Sequence, residues 1–218
     1  MTLKLGYLGG SIAFGIPLVA ASAAQIRAKD FNRFLYWGTI ALTTLAGTTL
    51  ADYFDRSLGI GYLGGSLSLF ALVMATLILW KRTLGSIDIK TVYTPKAELF
   101  YWTTIMFSQT LGTALGDWMA DSSGLGYNGT ALLITAIIAA LHHFTRVSLV
   151  TLFWAAFILT RPLGATIANS LDKSPAKGGL GISDLVATAV LAVLMVICLF
   201  VMPQRAGQRG ASTELNPV

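Results

Sequence analysis

The six-residue stretch GYLGGS occurs twice, at Gly6–Ser11 and again at Gly61–Ser66. Each copy opens a run of apolar residues, and the second run lies well inside the chain. Residues 1–26 also resemble a secretory signal peptide, because a basic residue precedes an apolar run that ends in small residues. A removable leader has no reason to copy an internal segment. The motif therefore marks a repeated structural unit.

The composition is typical of a membrane protein. Hydrophobic residues make up 55% of the 218 residues and charged residues only 11%, whereas soluble domains carry about 25% charged residues. A membrane-spanning helix needs roughly 20 mostly apolar residues. Such runs lie at residues 7–26, 36–54, 61–80, 99–118, 126–145, 147–170 and 180–202. The sequence predicts an all-α, polytopic transmembrane bundle of about seven helices.

The repeated unit extends well beyond the opening motif. Tryptophans stand at Trp37, Trp102 and Trp154, and ten residues after each of them stands a glycine: Gly47, Gly112 and Gly164. Fifteen residues after each tryptophan stands a polar residue: Asp52, Asp117 and Asn169. A short loop, a second opening motif and another apolar helix follow each time. The unit is thus a two-helix hairpin in three parallel copies, preceded by half a copy.

These units divide the chain into one transmembrane domain, residues 1–203, and a polar cytoplasmic tail, residues 204–218. The half repeat is 1–35, and the full repeats are 36–98, 99–146 and 147–203. Because the chain starts in the middle of a repeat, we expect a gap beside residues 7–26. Either a helix encoded upstream fills this gap, or two chains form a homodimer through the face of residues 7–26.

The tryptophan, Gly-x(4)-Asp and Leu-Gly-Tyr positions resemble those of a group of bacterial integral-membrane proteins, catalogued as a repeat of unknown function. The resemblance covers essentially the whole chain. It implies four tandem two-helix units with one characteristic tryptophan each, so that this chain lacks the first helix. It implies an architecture and no particular activity.

Lysine and arginine favour cytoplasmic loops and so predict the orientation. Ten of them follow the odd-numbered spans, and four lie in the opposite loops, namely Lys4, Arg56, Lys173 and Lys177. This predicts an outer N-terminus and a cytoplasmic C-terminus in the bacterial inner membrane. The tryptophan-bearing helices then run outward, and their polar ends gather on the outer side.

Residues four apart share one face of a helix, so each tryptophan-bearing helix carries a polar stripe. The stripes are Thr44, Thr48 and Asp52, then Gln109, Thr113 and Asp117, then Arg161, Ala165 and Asn169. A charge that faces lipid costs about 2.5–3.5 kcal/mol or more, so the stripes should face one another. Arg161 then has Asp52 and Asp117 as candidate counter-ions. Glycines 47, 112, 116 and 164 would let the helices approach closely.

Three interpretations of the stripes remain open. The aspartates, with Asp55, Arg56 and Asp121 nearby, are solvated at the membrane surface; or an aspartate and Arg161 form a buried structural pair; or the stripes form an ion or substrate site. Carboxylates and hydroxyls suit a hard cation or a proton. The predicted site residues are Asp52, Asp117, Thr48, Thr113, Gln109, Asn169 and Arg161, with Asp52 and Asp117 as the candidates for a metal of unknown identity.

Other chemistry is sparse. Adjacent His142 and His143 point about 100° apart on a helix and do not form a one-face metal pair. Cys198 is the only cysteine, and no nucleophile with a base can be assembled. We therefore predict a transporter of a small solute, most simply a cation, with or without proton coupling. We expect no enzyme activity, cofactor or nucleic-acid partner. The alternative is a membrane scaffold or sensor subunit whose stripes are structural.

Overall fold

The computed structural model describes residues 6–28, 30–57, 59–92, 94–122, 124–144, 148–175 and 179–201. Seven α-helices account for most of this part: α1 Gly6–Arg27, α2 Arg33–Asp52, α3 Gly61–Leu84, α4 Pro95–Asp117, α5 Gly126–Phe144, α6 Leu149–Asp172 and α7 Asp184–Val201. Short π-helical turns follow α2 at Tyr53–Ser57 and α4 at Trp118–Ser122. The predicted all-α bundle of seven helices is confirmed. The predicted tail, residues 204–218, lies outside the described residues.

The helices differ in their membrane-spanning character. By length and composition, α1, α3 and α6 are apolar enough to cross a membrane, and Leu185–Val201 of α7 is a shorter apolar helix. By contrast, α2 and α4 bury threonine, serine and glycine along much of their length. Such residues suit close packing between helices inside a membrane bundle. The chain is a helical membrane protein with a comparatively polar interior.

The tryptophan-bearing helices α2, α4 and α6 form the inner layer, with α4 packed against both neighbours. Their first two turns lie together, since the hydroxyls of Tyr36 and Tyr101 are 2.7 Å apart. The ring centroids of Tyr101 and Trp154 are 6.4 Å apart. The three helices therefore run in the same direction, as parallel repeats require. We call the end where they begin the aromatic end, and the end where they finish the acidic end.

The remaining helices pack on the outside of this layer, and their partners differ from the expected hairpins. Helix α1 packs on α2, α3 on α4 and α5 on α6. Each opening-motif helix thus packs on the tryptophan-bearing helix of the following unit. Within the first two full repeats, the two helices are bridged instead by the π-helical turn between them. The sequence repeat and the packing unit are offset by one helix.

Glycine opens three of the motif helices for a conformational reason. Gly6, Gly61 and Gly126 have φ angles of 67°, 69° and 64°. Side chains strongly disfavour this left-handed region, and glycine does not. The opening glycine therefore turns the chain sharply into α1, α3 and α5.

Two of the repeated glycines allow inner helices to touch. A Cβ on Gly47 of α2 would lie 3.2 Å from the backbone nitrogen of Thr110 on α4. A Cβ on Gly112 of α4 would collide with the Cβ of Arg161 on α6. Gly116 also faces α6, at Pro162. The expectation is wrong for Gly164, which is exposed and would place a Cβ in open space.

Candidate functional site

One repeat position brings polar side chains together in the middle of the inner layer. Thr44, Gln109 and Arg161 each stand seven residues after a repeat tryptophan. Arg161 Nη2 donates a hydrogen bond to Thr44 Oγ1 at 2.5 Å, which joins α6 to α2. Gln109 Nε2 donates to Thr43 Oγ1 at 3.3 Å, which joins α4 to α2. We call Thr43, Thr44, Gln109 and Arg161 the central junction.

The local structure of α2 prepares both threonines to accept these bonds. The hydroxyls of Thr43 and Thr44 donate to the carbonyl of Ile40 at 2.7 and 3.0 Å, which leaves their oxygen lone pairs for α4 and α6. Gln109 is only 3% exposed, and its Oε1 has no hydrogen-bond partner in the described part of the chain. The central junction therefore keeps one buried acceptor available.

Arg161 does not pair with Asp52, which was one of its two candidate counter-ions. Asp52 Oδ1 instead lies 3.3 Å from Nε of Arg56, one turn further along the chain. Thr44 and Asp52 are eight residues apart, which is about 12 Å along a helix. Arg161 is thus held at the level of Thr44, well short of Asp52, and the charged groups occupy two separate levels.

At the acidic end, Arg56 gathers groups from three elements. Besides Asp52, its guanidinium donates to the hydroxyls of Tyr7 on α1 and Tyr62 on α3, each at 3.3 Å. These are the tyrosines of the two identical opening motifs. The repeated motif therefore supplies two equivalent hydrogen-bond acceptors for the guanidinium of Arg56.

Asp52 and Asp117 both contribute to this end, together with a third carboxylate, which one of the three open interpretations placed at the membrane surface. Asp55 lies in the π-helical turn after α2 and is only 6% exposed. Burial, and then the negative charges of Asp117 and Asp52, raise the pKa of its carboxyl group. We call Asp52, Asp55 and Asp117 the acidic cluster. The sequence analysis did not use one recurrence, that of Asp55-Arg56 as Asp172-Lys173. In both repeats the aspartate stands three residues after the polar residue that follows the tryptophan by fifteen positions.

The remaining predicted residues lie on the expected helices without joining the central junction through a described side-chain bond. Thr48 Oγ1 donates to the carbonyl of Thr44 at 2.9 Å, and Thr113 Oγ1 to that of Gln109 at 3.3 Å. Asn169 is half-buried near the end of α6. The structure thus brings together Gln109 and Arg161 at one level, and it places Asp52 and Asp117 near Asp55 at another.

Two observations limit what the site can hold. In the described part of the chain, no three His, Cys, Asp or Glu side chains converge closely enough to hold a metal ion. An apolar groove of about 300 Å³ lies between α5 and α6 near the aromatic end, lined by residues such as Leu141, Leu149 and Phe153. None of the predicted site residues lines this groove. The polar chemistry lies in the inner layer and at its acidic end.

Three segments of the chain, residues 35–86, 100–147 and 152–203, each match the family described as Repeat of Unknown Function (DUF347). The chain belongs to this repeat family. No curated protein and no solved structure matches it.

The DUF347 segments begin within five residues of the predicted repeats 36–98, 99–146 and 147–203. Each segment holds one tryptophan-bearing helix and the motif helix that follows it. Because the motif helix packs on the next tryptophan-bearing helix, adjacent DUF347 repeats are interlocked. The residues that stand seven positions after each tryptophan, Thr44, Gln109 and Arg161, all belong to the central junction inside the bundle.

Proposed function

We propose that the protein is a carrier for a small cation, which it binds through Asp52 and Asp117 at the acidic end. The observation that supports this most is the convergence of equivalent repeat positions on one interior, where α2, α4 and α6 present polar and charged groups to one another. Ionisable groups inside a membrane bundle are costly and usually serve transport. The carboxylates Asp52 and Asp117 provide the attraction for a cation.

Arg161 favours a carrier over an open channel. Its guanidinium is fixed to Thr44 in the middle of the inner layer, about 12 Å below Asp52 along α2. A fixed positive charge on a narrow path is an electrostatic barrier to cations. A cation that enters at the acidic end therefore waits there until the helices rearrange, with Thr48, Thr113 and Asn169 as neutral ligands.

Sealed vesicles test this function. We expect wild-type protein to dissipate an imposed Na⁺, K⁺ or proton gradient, read with trapped indicator dyes, and Asp117→Asn to slow it strongly. Loss of a charged ligand costs about 1.5–3 kcal/mol, which is about tenfold or more in apparent affinity. Asn keeps the shape of Asp, so thermal stability should stay near wild type.

Asp172→Asn is the matched control, because Asp172 lies at the end of α6 and pairs with Lys173 at 3.3 Å. It should transport at the wild-type rate. Equal loss in both variants, or unfolding of Asp117→Asn, would contradict a specific role for Asp117.

The second candidate is a scaffold or sensor subunit. The tight contacts of Gly47 and Gly112 and the bonds of Thr48 and Thr113 to their own helices favour it. Such side chains act as structural adhesive in membrane bundles. Wild-type vesicles that hold every gradient would support this candidate. A homodimer through residues 7–26 is compatible with either function and stays a prediction.

The orientation has its own test. We propose that the acidic end faces outward, because ten of the lysines and arginines lie in the loops and tail on the other side. A reporter fused after Arg209 should lie in the cytoplasm, and one inserted at Ser122 should lie outside. The reverse result would place the acidic cluster on the cytoplasmic side.

A further inference from the structure

Asp55 is buried in a way that an ordinary surface carboxylate is not. It is 6% exposed, and its Oδ1 has no hydrogen-bond partner in the described part of the chain. A buried carboxylate without a donor is unfavourable while it carries its charge. The residue lies in a π-helical turn, a feature that often marks functional positions.

The packing of α3 closes one side of Asp55 Oδ1. The oxygen lies directly against Gly65 of α3, where even a single Cβ would collide with it. A proton, unlike a cation with its coordination shell, needs no cavity. The contact therefore favours neutralisation of Asp55 by a proton bound to the carboxyl group.

The neighbouring carboxylates also favour the protonated form of Asp55. Asp52 of α2 and Asp117 of α4 place negative charge near Asp55. Arg56, the nearest cation, directs its guanidinium to Asp52, Tyr7 and Tyr62. Burial, then Asp117 and then Asp52, raise the pKa of Asp55 to about 7, and Arg56 opposes this shift only in part.

We propose that Asp55 is a proton-binding site, and that its protonation state controls the charge of the acidic cluster. A proton from water forms an O–H bond on the carboxyl group and leaves the cluster one unit less negative. A cation then binds more weakly, and release of the proton restores the attraction. The coupling rests on the proposed cation carrier, whereas the proton site itself does not.

Infrared titration of the purified protein in lipid nanodiscs tests the site without transport. The carbonyl band of a protonated carboxylic acid should disappear with a midpoint near pH 7 in the wild type. Asp55→Asn should remove this titration, and Asp172→Asn should keep it. A wild-type protein without a band that titrates near neutral pH, or a band that survives in Asp55→Asn, would overturn the proposal.

A glycine pair keeps the test decisive if Asp55→Asn does not fold. Gly65→Ala pushes the carboxyl group away from its position against α3 and toward water, so the midpoint should fall toward that of an ordinary aspartate. Gly64→Ala is the control, because its Cβ would meet only Ile60, and its midpoint should equal that of the wild type. Equal midpoints in both variants would contradict the role of this packing.

The failures of the two proposals are distinguishable. If the band titrates as expected while Asp117→Asn vesicles behave like wild type, the carrier function fails and the proton site stands. If the band is absent while Asp117→Asn stops transport, the proton site fails and the carrier stands.

Discussion

Replacement of Gly112 by valine is expected to destabilise the bundle by about 3 kcal/mol, the upper end of the usual cost of overpacking. The new side chain would occupy the place where α6 crosses α4. Its Cβ would collide with the Cβ of Arg161 and lie 3.2 Å from the ring of Pro162. Neither atom can swing away, because a Cβ is fixed by its backbone and a proline ring is rigid. The helices must separate, which also strains the bond between Arg161 and Thr44.

Gly164→Val is the matched control, since Gly164 holds the same repeat position on α6 and its Cβ would lie in open space. It should change stability by less than about 1 kcal/mol, because valine is a better helix former than glycine. Thermal and denaturant unfolding in detergent, followed by circular dichroism, measure both variants. Equal losses would show that the α4–α6 contact does not stabilise the bundle.

Trp154→Ala is the second variant with a large expected effect. Trp154 is 3% exposed, and its Nε1 donates to the carbonyl of Ile87 in the loop between α3 and α4 at 3.1 Å. Its ring packs edge-on against Trp80, with centroids 5.8 Å apart. Truncation of a buried tryptophan typically costs about 3–5 kcal/mol. The loop that carries Ile87 should also become more accessible to protease.

Two comparisons separate the causes of this loss. Trp154→Phe keeps an aromatic ring and loses the bond to Ile87, so it should cost about 1 kcal/mol plus a small packing term. Trp37→Ala changes the equivalent tryptophan of α2, which is only half-buried, and should cost clearly less than Trp154→Ala. Equal costs for Trp37→Ala and Trp154→Ala would mean that the tryptophan matters through its repeat position and not through its burial.

Much of the fold could be predicted because it depends on local properties. Apolar runs near the length of a bilayer locate the helices, and glycines such as Gly61 mark the turns that begin them. The spacing of Trp37, Trp102 and Trp154 identifies the parallel repeats, and the four-residue spacing of polar residues identifies the inward face. This is why periodicity alone could place Thr44, Gln109 and Arg161 on one shared interior.

Only the tertiary structure decided which groups on that interior meet. Helices in lipid are almost uniformly apolar outside their packing faces, so no local feature of the sequence specifies that α3 packs on α4 more closely than on α2.

Side-chain partners could not be predicted from local sequence either. Arg161 is long enough to reach several levels of the bundle, and the close crossing at Gly112 places its guanidinium at Thr44. The π-helical turn after α2 adds a residue to one helical turn, and it places Asp55 inside the bundle against Gly65 instead of at the membrane surface. Sequence periodicity determined the helices, the repeats and their polar faces, whereas helix partners, charge pairs and the buried carboxylate depend on contacts between segments far apart in the chain.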